Sequence, residues 1–492
     1  MKRLIFTITA SVITILYINA QNLDDALRYS RVFYNGTARF MSMGGAFTAL
    51  GADLSAISLN PAGTGVFRSF EATITPNLVY NNTTTLFNNT STDDFKYTFG
   101  LNQAGLVFNV VSNNSSTGLV NLNLAYSYLK TNNFNENITI KGVSDNSSMA
   151  DYWAGISQGT YYKDLTGSAG IAYDVYVIDT LTGSKGKYYG TIFSNYGDNS
   201  YSNYGQTIRR LITNEGYTAE HAFSAGANFS EKFFIGATLT LNRLQYTGHY
   251  EHLEADFDNV IPDFKNFTYT DHFEASGTGY SLKIGAIARP VEILRLGVAF
   301  HTPVIYRIRE YFYDQISSAF DNDDKYQNSN QPLRYSYTLT TPYRFVAGAS
   351  LQFKKLAIVS LDYELIDYRI ARFSKASDGY DYYNENESVK NILKTASNIK
   401  LGTEFRISSF YLRGGYGFYG SAFKASELNK NMSYTSVSFG FGYRQQNFFL
   451  DMGFANLSNT MKYMMYDDPD YLRPATITSA KNTFTATLGF KF

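Results

Sequence analysis

The sequence predicts an all-β protein: a 14-stranded antiparallel transmembrane β-barrel with a small N-terminal helical hatch in its lumen. Three observations predict it. Apolar and polar residues alternate with a period of two through most of the chain, short and long links between the alternating segments take turns, and one stretch near the N-terminus breaks the alternation.

The alternation is plainest at the C-terminus. In "NTFTATLGFKF", Phe484, Ala486, Leu488, Phe490 and Phe492 share one face, while Thr485, Thr487, Gly489 and Lys491 share the other. "SVSFGFGY" sets Val437, Phe439, Phe441 and Tyr443 against Ser and Gly, and "FIGATLTLN" sets Ile235, Ala237, Leu239 and Leu241 against Gly, Thr and Asn. Such segments are half-apolar strands. A soluble sandwich also alternates, with its apolar face inward. Segments running beyond ten residues, and a second face of Gly, Thr, Ser and scattered charge, favour a barrel with lipid outside and a polar lumen inside.

The links carry the strand count. Short ones fall at Ser112–Thr117, Ser230–Glu231, Pro290–Ile293, Lys354–Lys355, Ser408–Ser409 and Gln445–Asn447. Long polar ones fall at about 81–97, 131–216, 247–266, 314–332, 372–396, 420–431 and 460–475. Six short and seven long links join fourteen strands and place both termini on the short-turn side. Short periplasmic turns and long external loops are the outer-membrane pattern.

The N-terminal exception has two parts. Lys2 and Arg3, the apolar run Leu4–Ile18 and the small residue Ala20 read as a signal peptide over 1–20, cleaved on export. In the following segment, 21–68, Phe40, Met43, Phe47 and Leu50 form a helical stripe continued by Leu54 and Ile57 after Gly51; Asp53 suits a second short helix and Pro61 ends it. Helices this short need a surface to pack on. Fourteen strands leave a hole that side chains alone do not fill. The segment is therefore expected to plug the barrel formed by 69–492, its stripe against the lumen or a ligand.

Residues 25–63, "DALRYSRVFYNGTARFMSMGGAFTALGADLSAISLNPAG", resemble the start of the FadL/TodX family of outer-membrane transport proteins. Gly44-Gly45-Ala46, Asn60-Pro61-Ala62-Gly63 and the terminal Phe492 carry the match. The resemblance implies a Gram-negative outer-membrane location and passive uptake of hydrophobic or amphipathic molecules such as long-chain fatty acids. It also implies gating by the hatch, with Asn60, Pro61, Ala62 and Gly63 where hatch meets wall. The family releases substrate sideways at a kink in strand three; here "LVNLNLAYSYLK" (Leu119–Lys130) has no Gly or Pro, whereas Gly105 in strand two and Gly277 and Gly279 in strand six favour bulges.

Other constellations are sparse. Arg295, Arg406, Arg413 and Arg444, with Lys491, Glu404 and Asp451, form a basic group facing the lumen near the short-turn end; mutual pairing accounts for it, a ring attracting carboxylates being the alternative. His249 and His252 in "GHYEHLEAD" are read as residues of a solvated loop rather than metal ligands. The chain has no cysteine, and its 42 basic residues equal its 42 acidic ones, so nothing points to thiol chemistry or nucleic acid. No nucleophile–base set or phosphate loop stands out; the chain is read as a non-enzyme without cofactor or metal. The long link 131–216 fits a capture surface, a lid or a face for outer-membrane protein partners. The second functional reading is accordingly a closed barrel serving as a structural or adaptor subunit.

Overall fold

The computed structural model describes residues 23–113, 117–193, 204–467 and 472–492. The expected signal peptide lies outside them, as do parts of the links at 112–117, 131–216 and 460–475.

Fourteen antiparallel strands close a barrel. Strands one to six are Glu71–Phe87, Thr90–Ser112, Leu119–Asn133, Thr207–Phe229, Phe233–Ala255 and Phe264–Val291. Strand seven comprises Leu294–His301 and Ile305–Phe320, and strand eight Leu333–Thr340 and Arg344–Phe353. Strands nine to fourteen are Ala357–Asp367, Thr395–Ile407, Phe410–Tyr419, Tyr434–Arg444, Phe448–Tyr463 and Ala475–Lys491. Strand one closes on strand fourteen, with Glu71 opposite Lys491 and Leu78 opposite Phe484. No edge is left unpaired, which a sheet in lipid requires.

The alternation becomes an inside and an outside. Outward positions carry exposed Ile74 and Leu78 on strand one, Leu239 and Leu241 on strand five, Leu282 and Ile284 on strand six, and Phe439 and Phe441 on strand twelve. Phe484, Leu488 and Phe490 on strand fourteen face the same way. Side chains between them are buried, among them Thr238, Thr240, Ser281, Ser438 and Thr487. Apolar surface outside and polar groups inside are the arrangement a bilayer selects.

The short turns that lie wholly among the described residues sit where the links placed them, Ser230 and Glu231 being the central residues of one, with φ of 53° and 59°. The long links differ. At 81–97 there is no long loop, because strands one and two run on as a hairpin through Asn88 and Asn89 (φ 44° and 64°), with Phe87 opposite Thr90. Strand five continues to Ala255 and strand seven to Phe320, and 207–216 belongs to strand four. These stretches alternate polar with polar, so they carry no hydrophobic period. Their Thr and Tyr content nonetheless suits strands that rise beyond the membrane into water. At 23 residues, strand five is far longer than the roughly 10 that span a bilayer.

The first described residues and the C-terminus do not share one end. Phe492 N–H bonds the Phe70 carbonyl at the turn end (3.1 Å), whereas the first helix, Leu23–Ser30, stands in the hairpin half. There its Ala26, Leu27 and Tyr29 pack with Tyr246, Phe273 and Tyr337. The expected bulge in strand two occurs at Asn102–Gln103, opposite Thr75/Pro76 and two residues before Gly105. Strand six shows none at Gly277 or Gly279, where its register is continuous and wall side chains Ile308 and Tyr306 crowd the glycines.

Candidate transport lumen

The N-terminal segment descends through the barrel. After the helix Leu23–Ser30, an extended strap lies along the end of strand three, Phe33 and Asn35 donating to the Thr131 and Lys130 carbonyls (2.9 and 3.1 Å). Strand three is irregular there, its register against strand four shifting between Lys130 and Asn132. Below the strap, residues 38–66 form a compact plug: a helix Ala38–Ser42 and two 3₁₀ turns, Ala56–Ser58 and Pro61–Val66.

Short polar residues hold the plug together. The Thr37 hydroxyl caps the helix by accepting from Phe40 N–H and donates to Asp53 (2.7 Å), and Asp53 in turn accepts from Ser55 N–H (2.9 Å). Asp53 thus caps the turn that leads into the short 3₁₀ segment Ala56–Ser58 and ties it to the first helix of the plug. Asn60 caps the turn that Pro61 opens, its Oδ1 accepting from Ala62 N–H (3.1 Å). Its amide donates to the Thr48 carbonyl (2.6 Å) and across to the Ala286 carbonyl of strand six (3.2 Å). Asn60 therefore bonds plug and wall together, while Pro61, Ala62 and Gly63 are buried beside it. The apolar stripe does not face an open lumen. Phe40, Met43, Phe47 and Leu50 are 0–3% exposed and form the plug's own core with Ala56, Leu59 and the wall residues Ala299 and Val346.

The wall is shaped to this plug. Glycines on successive strands bring bare backbone against it: Gly236 beside the Pro61 carbonyl, Gly285 beside Asn60, Gly297 beside the Thr48 carbonyl, Gly402 beside Met43 and Gly440 beside Ser42. A Cβ at Gly285 would stand 1.9 Å from Asn60 Oδ1, and one at Gly297 would stand 2.2 Å from the Thr48 carbonyl oxygen. Gly236 pairs with Gly285 and Gly297 with Gly348, so these residues form a belt at one level of the barrel.

Charges lock the seat. Glu404 accepts two bonds from Arg39 of the plug (2.8 and 3.1 Å) and one from Arg413 (2.7 Å). Asp451 joins Arg413 (2.7 Å) to Arg444 (3.4 Å). Burial works against the charge of Arg39, yet Glu404 raises its pKa above the ordinary arginine value. Arg295 donates to the Leu50 carbonyl (2.8 Å). Arg406 does not join them; it is exposed at the turn and donates to the Ser408 carbonyl (2.9 Å). On the other side Asp362 accepts from both the N–H and the hydroxyl of Thr48 (2.9 and 2.7 Å).

A second charged layer lies above. Lys283 donates to Glu220 (2.8 Å) and to the Ser58 carbonyl (2.9 Å), and His301 donates to the Leu59 carbonyl (2.8 Å). Arg344 bonds Glu364 (2.8 Å) and the Ser30 carbonyl at the end of the first helix, and Lys400 lies 3.5 Å from Glu364. None of these is singled out by the sequence pattern above. They sit on inward positions of alternating strands, but their partners are set by cross-strand register between distant residues, which periodicity does not reveal.

Two small cavities remain beside the strap. One of about 40 Å³ is bounded by Tyr29, Tyr34, Glu220, Lys283, His301 and Arg344, and reaches the wall at Thr302, Val304 and Pro342. The other, about 60 Å³, is bounded by Phe33, Tyr34, Met41, Asn132, Tyr419 and Lys481. Tyr34 borders both, its ring between the ammonium groups of Lys283 (5.7 Å) and Lys400 (5.4 Å). None of the four stripe residues lines either cavity. At the wall, strands seven and eight are both interrupted, at Thr302–Val304 and Thr341–Tyr343, where Pro303 and Pro342 withhold N–H donors.

The hairpin end is capped. The helix Met149–Ser157 brings Trp153 into a core with Phe193, Phe267, Tyr269 and Ile316, and the helix Gly167–Asp174 adds Ile171. Here the "GHYEHLEAD" stretch is strand rather than loop: His252 is buried against Glu254 (3.0 Å), and Glu254 accepts from Met149 N–H (2.7 Å). His249 faces outward. No group of three metal-ligating side chains occurs among the described residues.

The sequence matches no family model and no curated protein. Solved structures share the fold. A FadL homologue of Pseudomonas aeruginosa superposes with a TM-score of 0.58 at 11% identity, covering 94% of this chain and 100% of its own. The toluene transporter TodX of Pseudomonas putida gives 0.53 at 11% identity, covering 93% and 99%. The toluene transporter TbuX of Ralstonia pickettii gives 0.50 at 13% identity, covering 93% and 98%. The closed 14-stranded barrel of this chain, few short helices at its N-terminus included, has the fold of these FadL/TodX-type outer-membrane channels.

Proposed function

We propose that this protein is an outer-membrane channel of Gram-negative cells for passive uptake of hydrophobic or amphipathic, fatty-acid-like molecules, gated by residues 21–68. The observation that carries the reading is the seat itself. A separable segment occupies a barrel wide enough to conduct, held by a few polar latches against a wall stripped to backbone. Release breaks these latches and the buried Arg39–Glu404 pair and uncovers apolar contacts between plug and wall, so opening has to be driven by a ligand that binds the open form better. In the closed form the two cavities beside the strap are about 40 and 60 Å³, each smaller than a lipid chain. Passage therefore requires Tyr34 to swing from between them and the latches at Asn60 and Asp362 to release. The similarity to two toluene transporters supports an apolar cargo, and the paired lumen charges argue against a dedicated carboxylate ring.

The discontinuity at Pro303 and Pro342, where a luminal cavity meets the wall, makes strands seven and eight a better exit than strand three. Uptake into vesicles tests the proposal: purified barrel should admit toluene or oleate several-fold faster than protein-free vesicles, without nucleotide, and should not admit sucrose. Equal entry of sucrose would make it an open pore instead.

One observation favours the second reading, a closed adaptor. The cap formed by 149–193 and the strand tips is a packed apolar core rather than a set of loose loops. Co-purification in mild detergent decides between them: stoichiometric protein partners and no apolar ligand would favour the adaptor.

A further inference from the structure

We propose that the barrel's outer surface carries a binding site for the phosphate-bearing headgroup of a membrane lipid, formed by arginines on strands five, seven and eight. The proposal rests on the placement of the barrel in a membrane and is independent of what the lumen transports.

The register lays the site out row by row. Across strands five, six and seven, outward-facing Leu241, Tyr280 and Ile305 lie opposite one another. They end the lipid-facing surface; Leu241 and Tyr280 are 50% and 56% exposed. The next outward row is Arg243, Thr278, Arg307 and Thr338, and the one after it Gln245, Ser276, Arg309 and Ser336. Arg334 follows one step further, opposite Tyr311, its guanidinium 5.5 Å above that ring. With strands about 4.8 Å apart and about 3.4 Å of rise per residue, each of the four arginines has another within roughly 10 Å.

Position and partners separate this cluster from ordinary surface charge. All four side chains are exposed, and Arg243, Arg307 and Arg309 have no acidic partner among the described residues. The three carboxylates that line the same groove are engaged elsewhere: Glu215 with Lys96 (2.7 Å), Glu274 with His272 (2.9 Å), and the buried Glu310 with the Tyr337 hydroxyl. The groove is concave, about 670 Å³, and includes Arg309, Arg334, Ser276 and Ser336. Unneutralised guanidinium forks one row beyond an apolar surface lie at the depth of lipid headgroups, where they match phosphate oxygens two at a time. Neighbouring Thr and Ser hydroxyls supply further donors, while acyl chains lie along Leu239, Leu241, Leu282 and Ile305.

The test uses the purified full-length barrel in dodecyl maltoside, titrated with dioleoyl phosphatidic acid or dioleoylglycerol and read by native mass spectrometry. Phosphatidic acid should bind about tenfold more tightly than the matched diacylglycerol. The double variant Arg307→Gln/Arg309→Gln should lose at least about fivefold of that affinity. Lys325→Gln, on an exposed outer strand, should lose none. Retained heat-modifiable mobility on gels shows that the variant barrel has folded; if it has not, Arg307→Lys/Arg309→Lys replaces it, keeping charge without the fork and giving an intermediate loss. Equal binding of the two lipids, or an unchanged double variant, would overturn the proposal. Full displacement by 10 mM inorganic phosphate would overturn the lipid assignment and make the site one for a free anion.

Discussion

At the scale of residues the closed state depends on a few side chains that belong to both plug and wall. Asn60 serves Ala62, Thr48 and Ala286 at once. Replacing it by Ala should destabilise the seat by about 1–2 kcal/mol, seen as faster amide exchange over 56–66 while strand amides stay protected. Gly285 gives the converse test. An added methyl collides with Asn60, so Gly285→Ala should unseat the plug and raise vesicle uptake, the barrel still migrating as a folded species. Tyr34→Ala should join the two cavities it borders and raise uptake through barrels whose plug is free to move. The Asn-Pro-Ala-Gly corner was legible in the sequence because a cap followed by proline has a local signature. The glycine belt was not. Nothing on a single strand marks which glycine meets the plug, and the belt exists only once register aligns them.

Elements divide by whether their pattern is local. Strands in lipid declared themselves by period two, and the short turns by their length. Hairpins above the membrane read as loops because both their faces meet water or polar neighbours, leaving no period to read. The stripe of Phe40, Met43, Phe47 and Leu50 is legible as an apolar face, and it packs on the segment's own Ala56 and Leu59 and on the wall at Ala299 and Val346. In the cap, Asp151 accepts from Ser148 N–H (2.8 Å) and the Tyr204 hydroxyl (2.9 Å) at the start of the helix Met149–Ser157. Burial pushes its pKa up to about 7. A raised carboxyl pKa stabilises the folded cap fully below the unfolded value near 4, and that contribution is lost as pH rises through 7. Proteolysis within 158–187 should therefore accelerate about tenfold between pH 5 and pH 8. Asp151→Asn should flatten that rise; an equal rise in the variant would assign it to another group.

On the scale of the whole molecule, a barrel wide enough to conduct is closed at two levels, by the plug near the turn end and by the cap at the hairpin end. Transport requires the plug to leave its seat, whereas an adaptor has no such need. The chain contains no cysteine, so an introduced pair has no competitor. The Thr64 and Ser224 hydroxyls touch across plug and wall at 2.7 Å, close enough for their replacements to form a disulfide. The decisive measurement is uptake of toluene and of oleate by vesicles carrying the Thr64→Cys/Ser224→Cys barrel, oxidised and then reduced. Oxidation should abolish uptake and reduction restore it to the unmodified rate. Equal uptake in both states, with the disulfide verified by mass spectrometry, would contradict a gating plug.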